Sequence, residues 1–260
     1  ADIERIKDLL PTTLGSKEIR EQIARDILRR SVFSARMASA SYLAKIREVC
    51  AELLDGTINQ AEATTRLLST LKSMGYDTEG GNQTDLADPV SERRLNLIVD
   101  TQRQMAASVS RLLQQDEGTV EQFPGWELCR MGSRNMPRKD WLARWNAAGD
   151  SVGWEGARKS QLYGDGTSFG FLALKSSPIW QALGDGAGGF TDTLGNPYPP
   201  FAYSSGMAWL DADRETCERY GLVSSSSPAD MPERPSISPA EQDILDACDR
   251  YGFDLSKDLI

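Results

Sequence analysis

The chain contains no histidine. Without an imidazole no Ser-His-Asp or Cys-His nucleophile can be assembled, no His-ligated zinc or haem can be held, and the usual neutral-pH switch is missing. Cysteine is scarce too: Cys50, Cys129, Cys217 and Cys248 are scattered, with no CxxC pair. That pattern writes neither a four-cysteine metal knuckle nor a thioredoxin-type couple. Four cysteines in 260 residues do not make a disulfide scaffold either, so a reducing compartment is expected. No apolar run approaches the roughly 20 residues of a membrane span. The opening ADIERIKDLLP has neither the basic region nor the apolar stretch of a secretory leader, so none is expected there.

Positive charge is not in surplus. Lys and Arg total 29 against 38 Asp and Glu, a formal net charge of −9. This argues against a chain that wraps nucleic acid, which needs clustered cations for phosphate contacts. The acid is local: residues 185–260 hold fourteen Asp/Glu and five Lys/Arg, and the remainder is neutral. What is present is enough to fold. Hydrophobic residues make up 40% and aromatics 8%, which can fill a core, and 260 residues allow one large domain or two modest ones.

The first half reads as helices. From Ser16 to Leu54 apolar residues keep helical spacing (Ile19, Ile23, Ile27, Leu28, then Leu43, Ile46, Val49, Cys50, Leu53 and Leu54), with Ser16 as N-cap and Asp55-Gly56 as the stop. Asn59 and Glu62, in capping-box spacing, open a second helix that buries Leu67, Leu68 and Leu71, with Met74 as a further candidate, and ends at Gly75. The short link predicts a helical hairpin. After a polar loop at 77–88, Pro89 starts a third helix with Leu95, Ile98, Val99, Gln102, Met105, Val109, Leu112 and Leu113 near one stripe. Arg93, Arg94, Arg103 and Arg111 fall outside it and read as a solvated face.

Beyond Gly118 the periodicity weakens and Gly, Pro and Trp become frequent. Short strands are expected at Trp126–Met131 and Phe169–Leu174, with a helix at 137–148 placing Trp141 and Trp145 one turn apart as core anchors. Residues 149–168 read as an exposed Gly-rich excursion, Ser177-Pro178 as the start of a helix through Leu183, and Asp213–Tyr220 as another ending at Gly221. Residues 184–207 are too rich in Gly and Pro for regular structure, so tertiary contacts of their aromatic residues must hold them. The fold class is therefore α+β. A helical region with long helices (1–118) precedes a compact module of short strands, short helices and long ordered loops (119–223). An extended, mobile Ser/Pro linker follows (224–238), then a tethered terminal helix (239–260) with Ile244, Leu245, Ala247 and Cys248 on its apolar face.

Candidate chemistry is thin. The glycines at 184–189 match GxGxxG but lack the preceding strand and following helix that a dinucleotide site requires. Asp211, Asp213, Glu215 and Glu218 carry enough carboxylates for a hard cation, but their spacing is not that of an EF-hand and a charged helix face explains them. Glu127 would serve as a general acid if burial raised its pKa, yet no second carboxylate is placed to work with it. Cys129 beside Arg130 is either a thiolate or a structural thiol. The basic stretch Arg130, Arg134, Arg138, Lys139 and Arg144 is the best local match for DNA or an acidic protein surface, against the ordinary habit of helix surfaces to be charged. No catalytic residue, metal ligand or cofactor is expected.

Five blocks, SERRLNLIVDTQRQMA (91–106), FPGWELCR (123–130), MPRKDWLARWNAAG (136–149), LALKSSPIWQAL (172–183) and LGNPYPPFAYSSGMAW (194–209), in this order and at these distances, resemble the minor head or head morphogenesis proteins of tailed bacteriophages, the group akin to the Mu F protein. The resemblance covers roughly 30–222. It implies a virion component made in the host cytoplasm and built into the procapsid near the portal vertex, in several copies, without membrane contact. Its partners would be portal and major capsid subunits. Some members carry a Cys/His module or a fused toxin or enzyme domain; this sequence has no His and no paired Cys, so neither a zinc-bound version nor a fused catalytic domain is expected. Trp141, Trp145, Trp180, Tyr198, Phe201, Tyr203 and Trp209 are the expected framework of the second half. An interaction surface is expected among Arg130, Arg134, Arg138, Lys139, Arg144, Tyr198, Phe201, Tyr203 and Trp209. The alternatives are an internal head protein on packaged DNA, using Arg130–Arg144 or the arginines of the third helix, and a carboxylate/metal hydrolase.

Overall fold

The computed structural model describes residues 8–12, 18–19, 31–32, 34, 37–77, 84–131, 139–162 and 168–233. The fold is α+β: among the described residues there are seven helices, one three-stranded antiparallel sheet and two two-stranded pairings. They form two compact units, which divide between Ala106 and Ala107, inside the third helix rather than at 118. Among the described residues no helix is long and apolar enough to cross a membrane.

In the first unit, strand β1 (Asp8–Leu9) pairs in parallel with β2 (Ser31–Val32). Helix α1 (Ala40–Leu54) begins only after β2, because Ser39 accepts a hydrogen bond from the Tyr42 amide at 3.2 Å and sets the start. The continuous helical spacing expected from Ser16 is thus broken at Ser31–Val32; Ser16, Ile23, Ile27 and Leu28 lie outside the described residues. Helix α2 (Gln60–Ser73) is capped by Asn59 as expected, its side chain accepting from the Glu62 amide at 3.0 Å. Helix α3 (Glu92–Leu113) starts later than Pro89. Asp85 and Asp88 bind the Ala87 and Val90 amides at 2.8 and 3.0 Å, fixing a turn that carries the chain to Ser91 before the helix opens. Leu43, Ile46, Val49, Leu67, Leu71, Leu95 and Val99 meet in one core with Val32 and Met37.

In the second unit, Asp116 caps helix α4 (Glu117–Gln122), and the Thr119 backbone amide bound to it holds that carboxyl below the usual range. Strand β3 (Gly125–Arg130) is central to the sheet, flanked by β6 (Leu172–Leu174) and β7 (Met207–Ala212). Helix α5 (Trp141–Ser151) is followed by the pairing of β4 (Gln161–Leu162) with β5 (Ser168–Phe169). The stretch between them is not simply exposed: Ala157 is buried and bridges Ala173, closing the outer edge of β6. Helix α6 (Ile179–Asp185) follows β6, and α7 (Arg214–Arg219), capped by Asp213, follows β7.

The core of this unit is built from indoles. Trp126 and Trp209 stack with centroids 3.8 Å apart; Trp180 meets both edge-on and also meets Trp145 at 5.6 Å, with Phe201 and Phe171 at the margin. Such contacts each contribute about 0.5–1.5 kcal/mol beyond the area they bury. The register explains the stack. Trp126 faces Asp211 and Leu128 faces Trp209, so the two indoles are diagonal neighbours on one side of the sheet. Cys217 covers part of the other side at Gly125 and Ala212, with Leu172 alongside.

Candidate functional site

The expected interaction surface comes apart in the structure. Tyr198, Phe201 and Trp209 are buried, and Tyr203 is half-buried. The loop at 193–202 folds back on itself, bridging Thr193 to Ala202, with the Leu194 amide on the Phe201 carbonyl at 2.9 Å. That closure turns the Phe201 ring inward, onto Trp180 and Trp209. These residues are framework, as are the buried Trp141, Trp145 and Trp180, and Tyr198, Phe201 and Trp209 are not presented to a partner.

The basic stretch divides likewise. Arg134 and Arg138 lie outside the described residues, Lys139 is exposed, and Arg130 is half-buried with a bond to the Ser205 carbonyl at 3.1 Å. Arg144 is interior. It pairs with Asp140 and Asp192 at 2.9 and 2.8 Å and lies 4.2 Å from the Phe190 ring centroid. Its position on the Trp141/Trp145 helix points it at the 190–192 loop, so it cannot also serve DNA. On α3, Arg93 and Arg103 are exposed as expected. Arg94 is buried, bonded to Ser34 and the Ala87 carbonyl, and Arg111 is committed to β7.

The carboxylates are similarly used within the chain. Asp213 accepts the Thr216 amide at 2.7 Å, Glu215 pairs with Arg219, and Glu218 lies 3.8 Å from Arg214. Glu127 pairs with Leu210 and therefore sits on the opposite face of the sheet from Asp211. No group of three or more Cys, Asp or Glu among the described residues is arranged to hold a metal ion. Burial pushes the Cys129 thiol up, and the Glu127 charge adds to the shift, contrary to what a reactive thiolate needs. The 184–189 glycines close α6: Gly186 takes the left-handed conformation at φ +77, so they form no strand-to-helix phosphate turn.

One charged cluster was not anticipated. Lys175, immediately after β6, has a side chain with no solvent exposure. Its Nζ donates to Gln115 Oε1 at 2.5 Å and lies 3.1 Å from Asp211 Oδ1 and 5.4 Å from the Trp126 ring centroid. Asp211 also accepts from Arg111 at 2.5 Å and from Trp126 Nε1 at 3.0 Å, while Arg111 donates to the Trp209 carbonyl at 2.7 Å. Burial pulls the Lys175 ammonium below the ordinary lysine range although Asp211 opposes it. For Asp211, burial disfavours the charge, but the hydrogen bonds from Arg111 and Lys175 outweigh it and hold the carboxyl below its usual range. Comparison with models of known families, with curated proteins and with solved structures finds no match for this chain.

The only large apolar side chains exposed among the described residues of this unit are Met131, 64% exposed, and Leu210, 44% exposed. Leu210, Ala208, Glu127 and Cys129 share the sheet face away from the tryptophans, beyond the part that Cys217 covers.

Proposed function

We propose that the chain is a structural minor head protein of a tailed phage, built into the procapsid by contact with portal or capsid subunits rather than by catalysis. One observation carries the reading. Four of the five sequence blocks that resemble the Mu F group supply, one after another, the central strand β3, helix α5, the β6–α6 unit and the loop leading into β7, and Trp126, Trp145, Trp180 and Trp209 from them meet in a single core; the first block, 91–106, forms the start of α3 in the other unit. A block series that builds one framework is what a shared fold would preserve. The cations Arg111, Arg144, Lys175 and Arg214 are engaged within the chain, which leaves the DNA-binding alternative with fewer residues. Contact would then fall to surfaces such as the one bearing Leu210.

The test is assembly. The chain, co-expressed with the portal and major capsid proteins of its phage, is expected to co-purify with DNA-free procapsids, and Leu210→Glu to reduce its incorporation at least tenfold while leaving near-UV circular dichroism unchanged. Absence of the wild-type chain from washed procapsids and virions alike would overturn the proposal.

A further inference from the structure

The Lys175 cluster brings a buried amine and a buried carboxamide up against a partly exposed carboxylate. Gln115 is buried, its Oε1 is 2.5 Å from Lys175 Nζ, and its Nε2 donates to the Arg111 carbonyl at 3.0 Å. One C=O bond beyond Oε1, the carboxamide carbon lies within about 3.7 Å of Nζ, close to the separation of a reactive pair. Asp211 Oδ1 is 3.1 Å from the same nitrogen, and Asp211 is itself fixed by Arg111 and Trp126 Nε1. We propose that Lys175 and Gln115 join in a self-catalysed isopeptide cross-link, with Asp211 carrying the proton.

The step balances within the chain. Asp211 takes a proton from the Lys175 ammonium, and the freed amine attacks Cδ of Gln115, forming the C–N bond and placing the electron pair of the C=O bond on Oε1. The protonated Asp211 carboxyl gives its proton to Nε2. The C–Nε2 bond breaks as the carbonyl re-forms, and ammonia leaves with the amine's remaining surplus proton as ammonium. The products are a secondary amide, an ionised Asp211 and one ammonium ion. No oxidant, metal or nucleotide is needed. Two features favour the forward direction. Burial lowers the proton affinity of Lys175, which raises the share of nucleophilic amine. The product also replaces a buried ammonium, costly to keep out of water, by a neutral amide. Asp211 is 33% exposed, which gives the ammonium ion a route to solvent.

Mass spectrometry of the purified full-length chain decides the matter. The expected intact mass is lower than the sequence mass by one ammonia. The expected tryptic map has peptide 112–130 joined to 160–214, since cleavage after Lys175 is blocked. Gln115→Glu keeps the shape and allows an ion pair to Lys175, so it is expected to fold, and it should show its full sequence mass. Asp211→Asn should likewise lose the link. A wild-type chain at its full sequence mass, with 112–130 and 160–175 recovered as separate peptides, would sink the proposal. So would an ammonia loss that maps elsewhere or persists in Gln115→Glu.

Discussion

A methyl group added at Gly184 would lie 1.8 Å from the carbonyl oxygen of Asn196, because α6 and the 193–202 loop touch there backbone to backbone. Gly184→Ala is therefore expected to cost about 3 kcal/mol or more, since neither main chain can yield cheaply. At Gly118, in the exposed first turn of α4, the same methyl meets only Asp116 Oδ1 at 3.6 Å. Gly118→Ala should stabilise by about 0.5 kcal/mol through the unfolded chain. Denaturant titration of both variants checks the opposite signs. Cys217 offers a pH-dependent counterpart, because burial pushes its thiol up from 9.0 to about 11. Between those values the unfolded chain has lost the proton and the folded one has kept it. The stabilising contribution is therefore complete below pH 9 and disappears as the pH rises to about 11. The stability gap between wild type and Cys217→Ala should narrow across that window; a constant gap would contradict the assignment.

Among the elements, those with local punctuation were legible. Asn59 and Gly75 bound α2, Ser177-Pro178 announces α6, and Asp213 and Gly221 bracket α7, because caps and left-handed glycines act within a turn of the chain. Strand β7 was missed. It follows a Gly/Pro-rich loop, and Leu210 on its open face spoils the alternation of Met207 and Trp209; only pairing with β3, some eighty residues earlier, makes it a strand. The Lys175 cluster was illegible for the same reason, since its members meet across 60 and 100 residues. The Ser/Pro segment differs from expectation too. Arg214 binds the Ser224 and Ser227 carbonyls and Glu121 receives the Ala229 amide at 3.2 Å, so the first part of the supposed mobile linker is fastened down. Arg214→Ala should release it, seen as at least fivefold faster proteolytic cleavage at 224–233 without loss of the aromatic near-UV signal. Arg111 has an element-scale role as well. The Met131 amide bonded to the Gly206 carbonyl fixes the register, so the Trp209 carbonyl points off the free edge of β7, where Arg111 occupies it. A capped edge resists pairing with a stray strand.

Over the whole molecule, the helical first unit and the tryptophan-centred second unit have separate cores. Leu67 has no exposure in the first. Leu67→Ala should cost about 2–5 kcal/mol there, and the loss should fall on that unit first, because compact units unfold as units. The helical signal at 222 nm should then melt earlier than in wild type, while the environment of the indoles changes little. Coincident shifts in both signals would mean that the units unfold as one.

All six tryptophans (126, 141, 145, 154, 180 and 209) belong to the unit that spans 107–234. The protein thus carries a colour code for its own halves. Light absorbed near 295 nm interrogates one of them alone, and the other answers through tyrosine, phenylalanine or amide absorption. Melting or ligand addition can therefore be assigned to a half of the isolated chain from its native spectrum, with no dye attached.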